Sequence, residues 1–97
     1  MRSGVALGIR PGGDPVLRWH DSRLRLADLT RREFQVFMLL GQGLSNRDIS
    51  GCLHIGERTV KLHVSSVLRK LLLESRLQAG LTAAEHVLVS STGREPG

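Results

Sequence analysis

The sequence predicts an all-α fold, a four-helix bundle, and three observations carry that prediction. Two capping signals, Thr30 with Glu33 and Ser45 with Asp48, each stand just ahead of an apolar run. Apolar residues then recur at three- and four-residue spacing, the period of a helix with one buried face. Gly43 and the triplet His54-Ile55-Gly56 separate these runs, and Ser75 stands ready to open a last one. The 97 residues suffice for one small domain with flanking arms and are too few for a multi-domain enzyme.

In chain order, residues 1–15 come first, with Gly4, Gly8, Pro11, Gly12, Gly13 and Pro15 and little to build a core. They read as a flexible arm. Residues 16–28 alternate, with Leu17 and Trp19 on one face, then Leu24 and Leu26 after Asp21-Ser22. That pattern fits a short N-terminal β-hairpin. Two strands alone are marginal in water, so this segment is expected to pack on the domain that follows.

The first helix opens at Thr30, whose hydroxyl accepts from the N–H three residues on while the Glu33 carboxylate reaches back. It runs to about Gly41, with Val36, Phe37 and Leu40 on one face. Phe34 and Met38 fall on the opposite side of the wheel, where Trp19, Leu24 and Leu26 are expected to cover them. Gly43 suits the left-handed residue that ends a helix. Ser45 opens a short second helix with Ile49, Cys52 and Leu53 on its buried side. A third starts near Glu57 and runs to about Leu71, burying Val60, Val64, Val67, Leu68 and Leu71. A fourth runs from Arg76 to about Leu88. The helical domain is thus expected over 29–88, with 89–97 a small, polar tail.

Composition narrows the function. Fourteen basic residues against nine acidic give a net charge of +5, which favours polyanionic partners, nucleic acid first among those inside cells. Only 3% of residues are aromatic and none is Tyr, which argues against a stacking platform for single strands. One cysteine builds no disulfide framework and fits a reducing cytoplasm. No apolar run nears the ~20 residues that span a bilayer, and Val5 to Ile9 is too short for a signal-peptide core. A cytoplasmic protein without a membrane partner is expected.

Catalysis is not expected either. Paired carboxylates, a phosphate-cradling glycine loop and a hydrolase elbow are all missing from the sequence. Cys52, His54, His20, His63 and His86 lack the paired spacing of a tetrahedral metal site. Cys52 reads as a small core hydrophobe. No cofactor is implied.

The third helix carries the functional signal. Two capped helices, the first of eight or nine residues, joined across a three-residue break, have the dimensions of a helix-turn-helix. At 100° per residue, Arg58, Lys61, Leu62, Ser65 and Arg69 fall together, opposite the apolar set. Such a helix fits the major groove of duplex DNA, early residues nearest the base edges. Lys61 can bond to guanine acceptors, Leu62 can meet a thymine methyl, and Ser65 can donate or accept. Thr59 and Lys70 lie beside this face, better placed for phosphate oxygens. Every surface helix also has a charged, solvated side, and periodicity does not choose between the two readings.

Residues 29–71 resemble the LuxR-type, or GerE-type, helix-turn-helix of bacterial transcription regulators. The matching positions are Leu29, Thr30 and Glu33, then Gly43, Leu44, Ser45, Asn46 and Ile49, then Thr59, Val60, Lys61, His63, Lys70 and Leu71. Ser75-Arg76 matches the start of that family's last helix. The resemblance implies a four-helix domain on duplex DNA, commonly a dimer through the fourth helix, residues 76–88. It places Thr59 on phosphate, turns Lys61, Leu62 and Ser65 to the bases, and makes His63 a positioning residue.

Four departures from that pattern set further expectations. Gly56 replaces a Ser cap, Gly51 weakens the second helix, and Leu72 stands where Gly is usual, which would let the third helix run on. Gly80 replaces a larger apolar residue, which weakens the case for the usual dimer contact. Two alternative functions remain at this point. One is a polymerase-associated module like the fourth region of sigma factors. The other is a protein-interaction domain using the Phe34/Met38 face.

Overall fold

A computed structural model describes residues 25–92. The expected arm at 1–15, the hairpin residues 16–24 with Trp19 and Leu24, and the last five residues lie outside them. After a short 3-10 helix, Arg25–Asp28, come α1 (Arg31–Gly41), α2 (Asn46–Leu53), α3 (Glu57–Leu71) and α4 (Arg76–Thr92). The fold is all-α, with no strand among the described residues. The end of the anticipated hairpin is therefore helical: the Leu29 N–H donates to the Leu26 carbonyl at 3.1 Å, a turn that sends both leucines inward.

Both capping boxes are formed. Thr30 and Glu33 exchange bonds of 2.9 and 3.1 Å, and Ser45 and Asp48 exchange bonds of 3.4 and 3.1 Å. Three helices close the same way, with a left-handed residue at Gly43, His54 or Leu72. In each case the next N–H reaches back five residues, as in Leu44 to Leu39, Ile55 to Ser50 and Leu73 to Leu68. α3 therefore stops at Leu71 and does not run on. Leu72 takes the glycine conformation at φ 59°, and the Leu73–Leu68 closure holds it there. In contrast, α4 extends four residues past Leu88 into the expected tail. No glycine or proline stands between Leu88 and Gly93 to end it sooner, and Ser91 satisfies its hydroxyl on the Val87 carbonyl.

The core has two parts. Val36, Leu40, Ile49, Val60, Val64 and Ala79 fill the first, beneath α2 and α3. Phe37, Val67, Leu71 and Ala83 fill the second, flanked by half-buried Leu26, Leu29, Phe34, Met38 and Leu73. Phe34 and Met38 are thus not on an outer face. α1 lies against both α3 and α4, so its buried arc is wider than one stripe, and Phe34 reaches Phe37 at 6.0 Å. The docking face read from these two residues is partly committed to the domain's own interior. Cys52 also departs from expectation, because it is exposed. The stripe of the two-turn α2 runs through Ile49 and Leu53, and Cys52 sits about 100° from Leu53, off its edge.

At Gly41 and Gly80, α1 and α4 meet with almost no side chain between them. A Cβ on Gly80 would stand 3.0 Å from the Leu40 carbonyl oxygen, and one on Gly41 would stand 2.7 Å from the Ala83 Cβ. Gly80, read from the sequence as a gap in an outer contact, instead lets the two helices close. Among the described residues no helix is long and apolar enough to cross a membrane. No three metal-ligating side chains gather among them.

Candidate nucleic-acid interface

The interface is built by the rigid placement of α3. Val60, Val67 and Leu71 are fully buried and Val64 nearly so, which fixes the helix's rotation. The opposite face is consequently turned outward: Arg58, Thr59, Lys61, Leu62, Ser65 and Arg69 are all exposed. Leu62 shows 63% of its surface, an apolar side chain standing among three cations. The turn that aims this face is fixed by the left-handed His54 and by the Ser50 hydroxyl, which donates to the Ile55 carbonyl. Gly56 caps α3 with its backbone alone. His63 is half-buried on the flank.

Lys70 does not stand with the exposed group. It is half-buried, and its Nζ lies 2.8 Å from Glu33 Oε1 on the first turn of α1. This ties the last turn of α3 to the start of α1. The same carboxylate accepts from the Thr30 N–H. Burial pushes the Glu33 carboxyl up, but Lys70 and the Thr30 cap outweigh it and hold the group below its ordinary value.

A second brace was not foreseen in the sequence. Arg76, the first residue of α4, donates to the Asn46 side-chain carbonyl and to the Leu44 carbonyl, the latter at 2.7 Å. It locks the start of α4 to the start of α2. No local pattern announces it, because its partners lie 30 and 32 residues away. Together, the two braces and the turn hold the helices around α3, whose polar face is exposed.

Residues 27–83 match the family described as "Bacterial regulatory proteins, luxR family". The chain belongs to that family. That family is one of DNA-binding helix-turn-helix transcription regulators. Among its relatives is the response regulator protein VraR of Staphylococcus aureus (strain Mu3 / ATCC 700698), 43% identical over 61 residues. VraR of Staphylococcus saprophyticus and of Staphylococcus epidermidis match with the same identity over the same length. The matched stretch is 63% of this chain and 29% of each relative, so the chain spans under a third of the curated relatives it matches.

Proposed function

We propose that this chain is a sequence-specific transcription regulator of the cytoplasm that inserts α3 into the major groove of duplex DNA. The observation that carries the reading is the outward face of α3, set by its buried valines. Lys61, Leu62 and Ser65 lie where a docked helix meets base edges: a lysine for guanine oxygen and nitrogen, a leucine for the thymine methyl, a hydroxyl for either. Thr59 at the first turn, with Arg58 and Arg69 at the flanks, serves phosphate oxygens. Lys70 serves the interface from behind, by holding α3 against α1.

Two copies would read paired half-sites through α4. Leu77, Leu81 and Leu88 are exposed there, and with Ala84 they recur at four, three and four residues, the seam spacing of paired helices. Such a dimer places two α3 helices about one DNA turn apart.

Selection of bound duplexes from a random pool, run with wild type and Lys61→Ala, tests both points. The wild type should enrich an inverted repeat. Lys61→Ala should lose about 1–3 kcal/mol, roughly 5- to 150-fold, at the selected site while keeping salt-sensitive background binding. Uniform binding with no enriched sequence would refute the reading; an enriched single half-site would keep DNA recognition and remove the homodimer.

A further inference from the structure

The chain that leads into α1, and the first turn of α1 itself, are basic. From Arg25 to Arg32 there are three arginines and a single carboxylate, Asp28. Arg31 and Arg32 are exposed, and neither has an ion-pair partner among the described residues. Helix formation does not ask for them there, because cations on a first turn oppose the helix dipole. The acidic residue of that turn, Glu33, is already occupied: its Oε1 lies 2.8 Å from Lys70 Nζ. That ion pair also fixes where the arginines stand, since it brings the start of α1 beside the last turn of α3. Arg69 belongs to that last turn and is exposed, again without an ion-pair partner among the described residues. Arginines from two helices thus share one end of the domain.

On the reading of α3 as the inserted helix, we infer that Arg31 and Arg32 form a second phosphate contact. They would hold the DNA strand that borders the groove α3 reads. From Lys61 to Arg69 the helix rises about 12 Å, which matches the ~12 Å width of the major groove. With Lys61 at the base edges, the last turn of α3 arrives at the bordering phosphates, and the first turn of α1 arrives with it. Phosphate suits these side chains: an arginine fork takes it through two parallel N–H bonds, whatever the base sequence. Lys70, held by Glu33, does not compete for the strand; it keeps α1 in place so that Arg31 and Arg32 can reach it.

Binding of the full chain to a duplex carrying its selected site, followed from about 50 to 200 mM salt, tests the contact. Arg31→Gln/Arg32→Gln should bind more weakly. Its slope of log affinity against log salt should be shallower by about two, close to one for each phosphate lost. Its preferred sequence should be that of wild type, and its thermal melt no lower, since both side chains are exposed. Ethylation of single phosphates should locate the contact, with positions bordering the groove that weaken wild type and leave the variant unaffected. Equal salt slopes for variant and wild type at a preferred sequence would overturn this contact alone. A changed preferred sequence would overturn it too, because the arginines would then be reading bases. A wild type with no preferred sequence would refute the α3 reading and the second contact with it.

Discussion

Glu33 serves two partners with one carboxylate, the Thr30 N–H and the Lys70 ammonium, and through them joins α1 to α3. Its folded pKa is depressed, so the stability it contributes is complete above the ordinary carboxylate range and is lost as pH falls through the lowered value. Glu33→Gln keeps the shape and removes the charge. Chemical denaturation should show this variant about 1–2 kcal/mol less stable at pH 7. The gap should close as both proteins are taken below the ordinary carboxylate range and through the lowered value, where the wild-type carboxyl takes up its proton. A gap independent of pH would show that packing, not charge, carries the effect.

The capping half of this cluster is legible in sequence because its partners are three residues apart. The Lys70 half is not, because 37 residues separate the pair and a lysine at the edge of a basic face looks like any phosphate contact. Cys52 was misread for a different reason. A helix of two turns has too few apolar positions to fix the width of its buried stripe, and only Ile49 and Leu53 proved to define it.

Among the elements, the glycines of the helices divide by what surrounds them. Gly51 has open space where a Cβ would point, so Gly51→Ala should stabilise α2 by about 0.5–1 kcal/mol. Gly41→Ala and Gly80→Ala should each destabilise by about 1–3 kcal/mol, because a methyl there meets Ala83 and α4 backbone or the Leu40 carbonyl. For a domain of this size, thermal melts should move by about 4–8 °C per kcal/mol, upward for the first and downward for the others. Opposite signs from one chemical change would locate the close helix contact without any further structure.

Helix starts were legible because Thr30, Ser45 and the break before Glu57 act locally. Helix ends were less so: Gly43 announces a left-handed closure, but Leu72 adopts the same conformation with a side chain that argues against it. Only the tertiary anchoring of Leu73 beside Leu68 explains why it holds.

At the scale of the whole molecule, a 97-residue chain displays Leu77 at 70% and Leu88 at 62% exposure along one helix, with Leu81 between them. Leu81→Glu should leave the fold intact and abolish self-association in sedimentation experiments, since a carboxylate in an apolar seam is left desolvated. The same variant should still bind a single half-site but lose its preference for paired ones. The all-α architecture and the outward face of α3 were both readable from periodicity. The arrangement of α4 was not, because Gly80 looks like a flaw until the Leu40 carbonyl beneath it is seen.

That bare contact between α1 and α4 leaves the joint without slack. Side chains between helices can change rotamer and let one helix slide, whereas a glycine against a carbonyl has nothing to rearrange. If α4 sets the pairing and α3 the reading, the distance between the two reading heads is built into the backbone. One base pair inserted between half-sites turns the second site by about a tenth of a helical turn. A stiff pair of domains cannot follow it, so the molecule would act as a ruler as well as a reader.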